Sequence, residues 1–150
     1  MAASPRNYSM RKMLKDIFSP AEASQLASAL GRVPFDAGSI PKIVVEMLAL
    51  GAAITPKSYA VIERNHAGHP WHVDTGDRNQ MPWCRWVAST GLTPPSEFSG
   101  GEFEYDEPFE HYDSHYLTTL IHSADQLHRV MPHEGNRTVL LMFLGEPHGE

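Results

Sequence analysis

The segment Trp71-His72-Val73-Asp74 sets an imidazole and a carboxylate two residues apart. In an extended strand alternate side chains share a face, so His72 and Asp74 are expected to point into one space. A third donor must come from elsewhere. His128, within Leu127-His128-Arg129-Val130, is the best placed, with His122 and His133 as competitors. Two histidines and one carboxylate make a facial triad suited to non-haem Fe(II), whose opposite face stays open for a co-substrate and O2. Such a site is built for oxidation.

Nine residues beyond His128, Arg137 opens the apolar run 138–144. A guanidinium carried into a barrel interior needs an anionic partner, and its planar fork matches a carboxylate bidentately. The distal carboxylate of a 2-oxo acid chelating the iron is the natural partner. The other histidines and cations read differently. His66, His69 and His72 recur every three residues, but Gly68 and Pro70 argue against a helical zinc cluster. His111 and His115 read as solvent-facing loop residues, and His148 as part of a frayed tail. Arg85 reads as an exposed strand residue, with a cation facing an acidic substrate as its second reading. Trp71, Trp83 and Trp86 suit a core or pocket wall, and Cys84 a small buried hydrophobe.

These residues need a scaffold. Residues 19–30 read as a helix, with Ser19 as N-cap, Pro20 at the first position, Glu22 completing a capping box and Gly31 ending it. Residues 40–50 read as a second helix, with Pro41 early and Gly51 after the end. From Lys57 onward, short β-rich runs follow at 58–64, 71–74, 83–89, 102–105, 116–121 and 138–144. Residues 93–101 read as a connecting turn, Gly100-Gly101 as a sharp turn or bulge into the next strand, and 104–113 as a surface loop. The order implies an all-β core with flanking helices (α+β), the helices packed outside an antiparallel barrel or sandwich. The chain is expected to form one domain, helical over about residues 1–55 and β-barrel over about residues 56–146.

With those elements in place, the chain resembles the prolyl-4-hydroxylase-like branch of the Fe(II)/2-oxoglutarate-dependent dioxygenases. The resemblance runs from about Ser58 to Leu144 and comprises His72-Val73-Asp74, Phe98-Ser99-Gly100-Gly101-Glu102-Phe103, Leu127-His128-Arg129-Val130 and Gly135-Asn136-Arg137, in family order. It implies a double-stranded β-helix, the jelly-roll or cupin-like barrel. By that likeness His72, Asp74 and His128 bind Fe(II), Arg137 holds 2-oxoglutarate, and O2 is the second co-substrate. Many members carry a tyrosine beside 2-oxoglutarate three residues before the first ligand, and His69 occupies that position here. A carboxylate at Asp74, where related halogenases have a small residue, favours hydroxylation. The implied reaction is hydroxylation of an unactivated C–H bond in a peptidyl residue, amino acid or small metabolite, with 2-oxoglutarate decarboxylated to succinate and CO2. A cupin-type metalloenzyme that does not use 2-oxoglutarate and a non-catalytic metal- or ligand-binding barrel are the rival readings.

Composition narrows the partners. The 150 residues carry 12 Lys+Arg against 18 Asp+Glu, a formal charge of −6, which disfavours a nucleic-acid substrate. No window approaches the apolar length of a membrane span. The 41% apolar content and three tryptophans fit a globular domain. One cysteine rules out an internal disulfide and, with no apolar leader-like run in residues 1–15, points to the cytoplasm. Little chain remains for a lid or a dedicated substrate-binding domain, so the expectation is an open site, closure by homodimerisation, or a core fragment of a longer enzyme.

Overall fold

The computed structural model describes residues 10–65, 67–75 and 81–148; His66, the start of the basic N-terminal stretch and residues 76–80 lie outside them. Helix α1 (Pro20–Ala27) begins as its sequence dictates, the Ser19 hydroxyl accepting the Glu22 N–H at 3.1 Å. The capping box is only half formed. Instead of turning back to Ser19, the Glu22 carboxylate accepts both the backbone N–H and the hydroxyl of Ser39, each at 2.7 Å, and so ties α1 to the start of α2 (Ile40–Ala49). On α2, Ile40, Ile43, Val44 and Met47 form a buried stripe at helical spacing.

The N-terminal part is not purely helical. Strand β1 (Arg11–Lys15) precedes α1, and β2 (Gly31–Val33) follows it. Both are edge strands of a six-stranded antiparallel sheet, β1 beside β9 (Thr118–Ser123) and β2 beside β3 (Tyr59–Asn65). Between them lie β5 (Trp86–Gly91) and β12 (Arg137–Leu144), giving the order β1-β9-β5-β12-β3-β2. A four-stranded sheet faces it, ordered β4 (His69–His72), β10 (His128–Val130), β7 (Phe103–Tyr105) and β8 (Glu110–Tyr112). A short ribbon pairs β6 (Phe98–Gly100) with β11 (His133–Gly135). The expected surface loop at 104–113 therefore holds a strand pair, because β7 and β8 hydrogen-bond across it.

Parity along the central strands divides the molecule into two compartments. On β12, Leu140, Met142 and Leu144 point outward and pack with α1, α2, Ile62 and Ile121 in the main core. Their alternates Arg137, Val139, Leu141 and Phe143 point between the sheets, into a cavity of about 190 Å³. Strands β5 and β12 are thus covered on both faces, which is why β12 reads as a near-continuous apolar run. No helix among the described residues is long and apolar enough to cross a membrane. Trp83, Trp86 and Cys84 are buried in the cores, and burial pushes the Cys84 thiol up to about 12.

Candidate metal centre and anion pocket

His72 and Asp74 do not share one straight strand. β4 ends at His72, and Asp74 lies two residues on in a bend, its backbone N–H held by the Ala124 carbonyl at 2.8 Å. β4 also bulges: His72 pairs with His128 but His69 pairs with Val130, so three steps on β4 match two on β10. Pro70, which cannot donate to the ladder, sits inside the bulge. This odd step lets His69 and His72 both line the cavity despite their three-residue spacing.

The ligand atoms of His72, Asp74 and His128 all lie within 4.8 Å of one another, a group that could hold a metal ion. His72 Nε2 stands 3.5 Å from Asp74 Oδ1, and His128 Nε2 stands 3.1 Å from Oδ2. Their outer nitrogens are committed. His72 Nδ1 donates to the Pro70 carbonyl at 2.7 Å and His128 Nδ1 to the Gln126 carbonyl at 2.8 Å. A carbonyl only accepts, so each neutral ring carries its Nδ1 proton there and turns its Nε2 lone pair toward the carboxylate. Two lone pairs facing an anion at this distance repel unless a proton or a cation lies between. A divalent cation answers all three groups at once, and carbonyl-anchored imidazoles are how metal-binding histidines are oriented.

The electrostatics agree with that donor set. Burial opposes charge on Asp74, yet the His122, His128 and His72 imidazoles around it hold its carboxyl far below the usual range, as a proton or a cation between them and the carboxylate would. Burial opposes a charged His72, but its contacts with Asp74 and the Pro70 carbonyl leave its metal-free pKa raised, so a cation entering the site takes the place of a proton between Nε2 and the carboxylate. Phe103 stacks on His128 with centroids 5.6 Å apart and planes 9° from parallel, fixing that ring further.

His122 stands beside the triad without matching its pattern. Its Nε2 lies 3.2 Å from Asp74 Oδ2 and its Nδ1 2.8 Å from the Tyr105 hydroxyl. Burial, and next the nearby His128, lower its pKa to about 4. His133 is buried elsewhere, on β11, and is not part of the group.

Arg137 enters the same cavity from the first position of β12. It is 3% exposed, makes no ion pair among the described residues, and burial lowers its pKa to about 10. A guanidinium kept dry without a carboxylate is costly unless an anion joins it. Gly101 makes room for it: at φ +77 it adopts a backbone that side chains avoid, and a Cβ there would sit 2.7 Å from Arg137 Cδ and 2.8 Å from Nε. Ser89 lines the cavity as well, its hydroxyl 2.9 Å from His115 Nε2.

That last contact corrects the expected solvent-facing His115. The residue is 3% exposed because the chain before β9 crosses against Gly91, whose N–H bonds the His115 carbonyl, and its ring packs on Phe103. Burial, and next the charge of Arg137, lower its pKa to about 3. His111 is the exposed member of the pair, held between Glu104 and Asp113 at 2.7 Å each. Arg85 lies away from the cavity, where it pairs with Glu146 at 3.1 Å.

Two facing antiparallel sheets with the order β4-β10-β7-β8 against β9-β5-β12-β3 define a double-stranded β-helix. Solved structures of that fold are similar over nearly the whole chain. The truncated viral collagen prolyl hydroxylase of Paramecium Bursaria Chlorella virus-1 superposes with a TM-score of 0.72 at 14% identity, covering 98% of this chain and 96% of that one. A 2OG-Fe(II) oxygenase family oxidoreductase from Burkholderia pseudomallei gives 0.60 at 17% identity, covering 94% and 86%. A Trichoplax adhaerens prolyl hydroxylase, in complex with a hypoxia inducible factor peptide fragment, gives 0.65 at 13% identity, covering 91% and 84%. These likenesses establish the shared fold, which matches the expectation from sequence. No family model and no curated protein matches the chain.

Proposed function

We propose that the chain is a non-haem Fe(II)/2-oxoglutarate-dependent oxygenase that hydroxylates an unactivated C–H bond. One observation carries the reading: a His-Asp-His group and a buried guanidinium with no acidic partner among the described residues open into the same cavity. His72, Asp74 and His128 would hold Fe(II) through Nε2, one carboxylate edge and Nε2. The metal supplies activation of O2, so that 2-oxoglutarate, O2 and R–H become succinate, CO2 and R–OH. Arg137 would hold the distal carboxylate of 2-oxoglutarate as a bidentate partner. Gly101 leaves the guanidinium its space. Val87, Phe103, Leu141 and Phe143 exclude water around the reacting centre. His69, exposed on the rim, would contact the co-substrate from the open side.

The guanidinium favours this reading over a cupin-type enzyme that does not use 2-oxoglutarate, because such an enzyme gives Arg137 no partner. For the prime substrate, the peptide held by the Trichoplax prolyl hydroxylase supports a peptidyl residue, with amino acids and small metabolites as further members of the class. A single buried thiol suits a reducing, cytoplasmic setting. The test is anaerobic addition of 2-oxoglutarate to the Fe(II) protein, followed by air and candidate substrates. A visible charge-transfer band and then succinate are expected. Both should be lost in His72→Ala; a band and turnover that survive this substitution would refute the proposal.

A further inference from the structure

Three imidazoles surround the Asp74 carboxylate, but they present opposite faces of the same chemistry. His72 and His128 anchor Nδ1 on carbonyls, which fixes their Nε2 lone pairs inward. His122 anchors Nδ1 on a phenol, which can donate. An ionised carboxylate only accepts, so the 3.2 Å contact to Oδ2 is a donation from His122 Nε2–H. A neutral His122 then takes the Tyr105 O–H at Nδ1. We propose that His122, its tautomer set by Tyr105, is a positioning residue that clamps the Oδ2 edge of Asp74 and fixes how this carboxylate meets the metal. The inference rests on the metal-centre reading above and adds a role to it.

The surroundings make the clamp rigid. His122 is 1% exposed, and it follows Leu120 at strand parity on the inner face of β9. Two residues further on, the Ala124 carbonyl holds the Asp74 backbone N–H, so main chain and carboxylate are both tethered to the same segment. Tyr105 is itself 1% exposed, edge-on to Phe103 at 5.0 Å and to His122 at 5.3 Å, with the Arg11 guanidinium 4.7 Å from its ring centroid. Asp74 lies beyond the end of β4, in a bend where no ladder restrains it. Without the His122 N–H, nothing else among the described side chains outside the triad donates to its carboxylate.

The experiment titrates metal-free protein with Co(II) by calorimetry and by the visible d–d spectrum, which reads coordination without turnover. Outer partners of metal ligands are worth about 10- to 100-fold in metal affinity. His122→Leu should weaken Co(II) binding by roughly that factor and alter the spectrum. His122→Gln, which keeps an N–H near the Nε2 position, should stay within about threefold of wild type, less than the loss expected for a missing partner. Tyr105→Phe, which frees the tautomer, should fall between them. Circular dichroism of the metal-free variants reports folding, and if the leucine variant does not fold, Tyr105→Phe decides. The proposal is overturned if a folded His122→Leu binds Co(II) like wild type, if the glutamine variant loses as much as the leucine, or if Tyr105→Phe changes nothing. A wild-type protein that takes up no Co(II) would instead overturn the metal centre itself, and this role with it.

Discussion

Replacing Arg137 by methionine should move co-substrate affinity and protein stability in opposite directions. The cation is destabilising while no anion accompanies it: burial lowers its pKa from 12.5 to about 10. At 1.36 kcal/mol per unit, that shift corresponds to roughly 3 kcal/mol against folding, present in full below about pH 10 and lost as the pH rises from there toward 12.5. Arg137→Met keeps much of the side-chain length inside the cavity and removes the charge. Ligand-free protein should therefore melt roughly 6–12 °C higher, since about 1 kcal/mol shifts Tm by roughly 2–4 °C in a domain of this size. Binding should suffer the reverse. Removing one partner of a buried, hydrogen-bonded charge pair costs about 2–5 kcal/mol, so the Kd for 2-oxoglutarate should rise roughly 30-fold to a few thousandfold. Differential scanning fluorimetry with and without 2-oxoglutarate reads both effects on one sample. Wild type should gain stability with ligand concentration by mass action, and the variant should not. A variant that melts lower without ligand, or that keeps its 2-oxoglutarate-dependent shift, would refute the idea that Arg137 waits for an anion.

Gly101→Ala places a methyl against Arg137 Cδ and Nε and forces a side-chain residue to φ +77, so it should weaken 2-oxoglutarate binding about tenfold or more while Co(II) affinity stays near wild type; calorimetric titration of each ligand separates the two. His115 gives an acid-sensitive signature. Its folded pKa of about 3 lies below the unfolded 6.5, so between these values the unfolded chain binds the extra proton and stability falls as pH falls. Going from pH 7 to pH 5 should cost roughly 2 kcal/mol at this site. In His115→Gln, which keeps a polar partner for Ser89, urea midpoints should lose that part of their pH dependence; an unchanged slope would assign the acid sensitivity elsewhere.

Much of this organisation was legible in the residues, and the gaps have definite causes. Pro20 behind Ser19 and Pro41 inside an apolar stripe marked both helices to within a few residues. The run 138–144 is recognisable because β12 is covered on both faces, which frees it from alternation. Strands β1 and β2 escaped notice because an edge strand such as Arg-Lys-Met-Leu-Lys carries charges that discourage further pairing and also obscure its period. Alternation alone put His72 and Asp74 on one strand, whereas the bulge at Pro70 and the bend after His72 perform the same convergence by other means. His115 was misread because its burial comes from a crossing against Gly91, a contact invisible in the acidic, aromatic neighbourhood around it. The environment of His122 did leave a signal: two residues after Leu120 in a β-rich run, it shares the inward parity of an apolar neighbour.

The two ends of the cavity are anchored on strands of unequal security. Arg137 belongs to β12, which is bonded on both sides by β3 and β5, whereas His72 closes β4, a strand whose single neighbour among the described residues is β10. Amide hydrogens on such a fringe exchange through local fraying, while those at the centre of a large sheet exchange only as the whole molecule opens. An ion held at the His72 end would thereby be exchangeable without global unfolding: the rim could open and close again while the guanidinium and the wall behind it keep their shape.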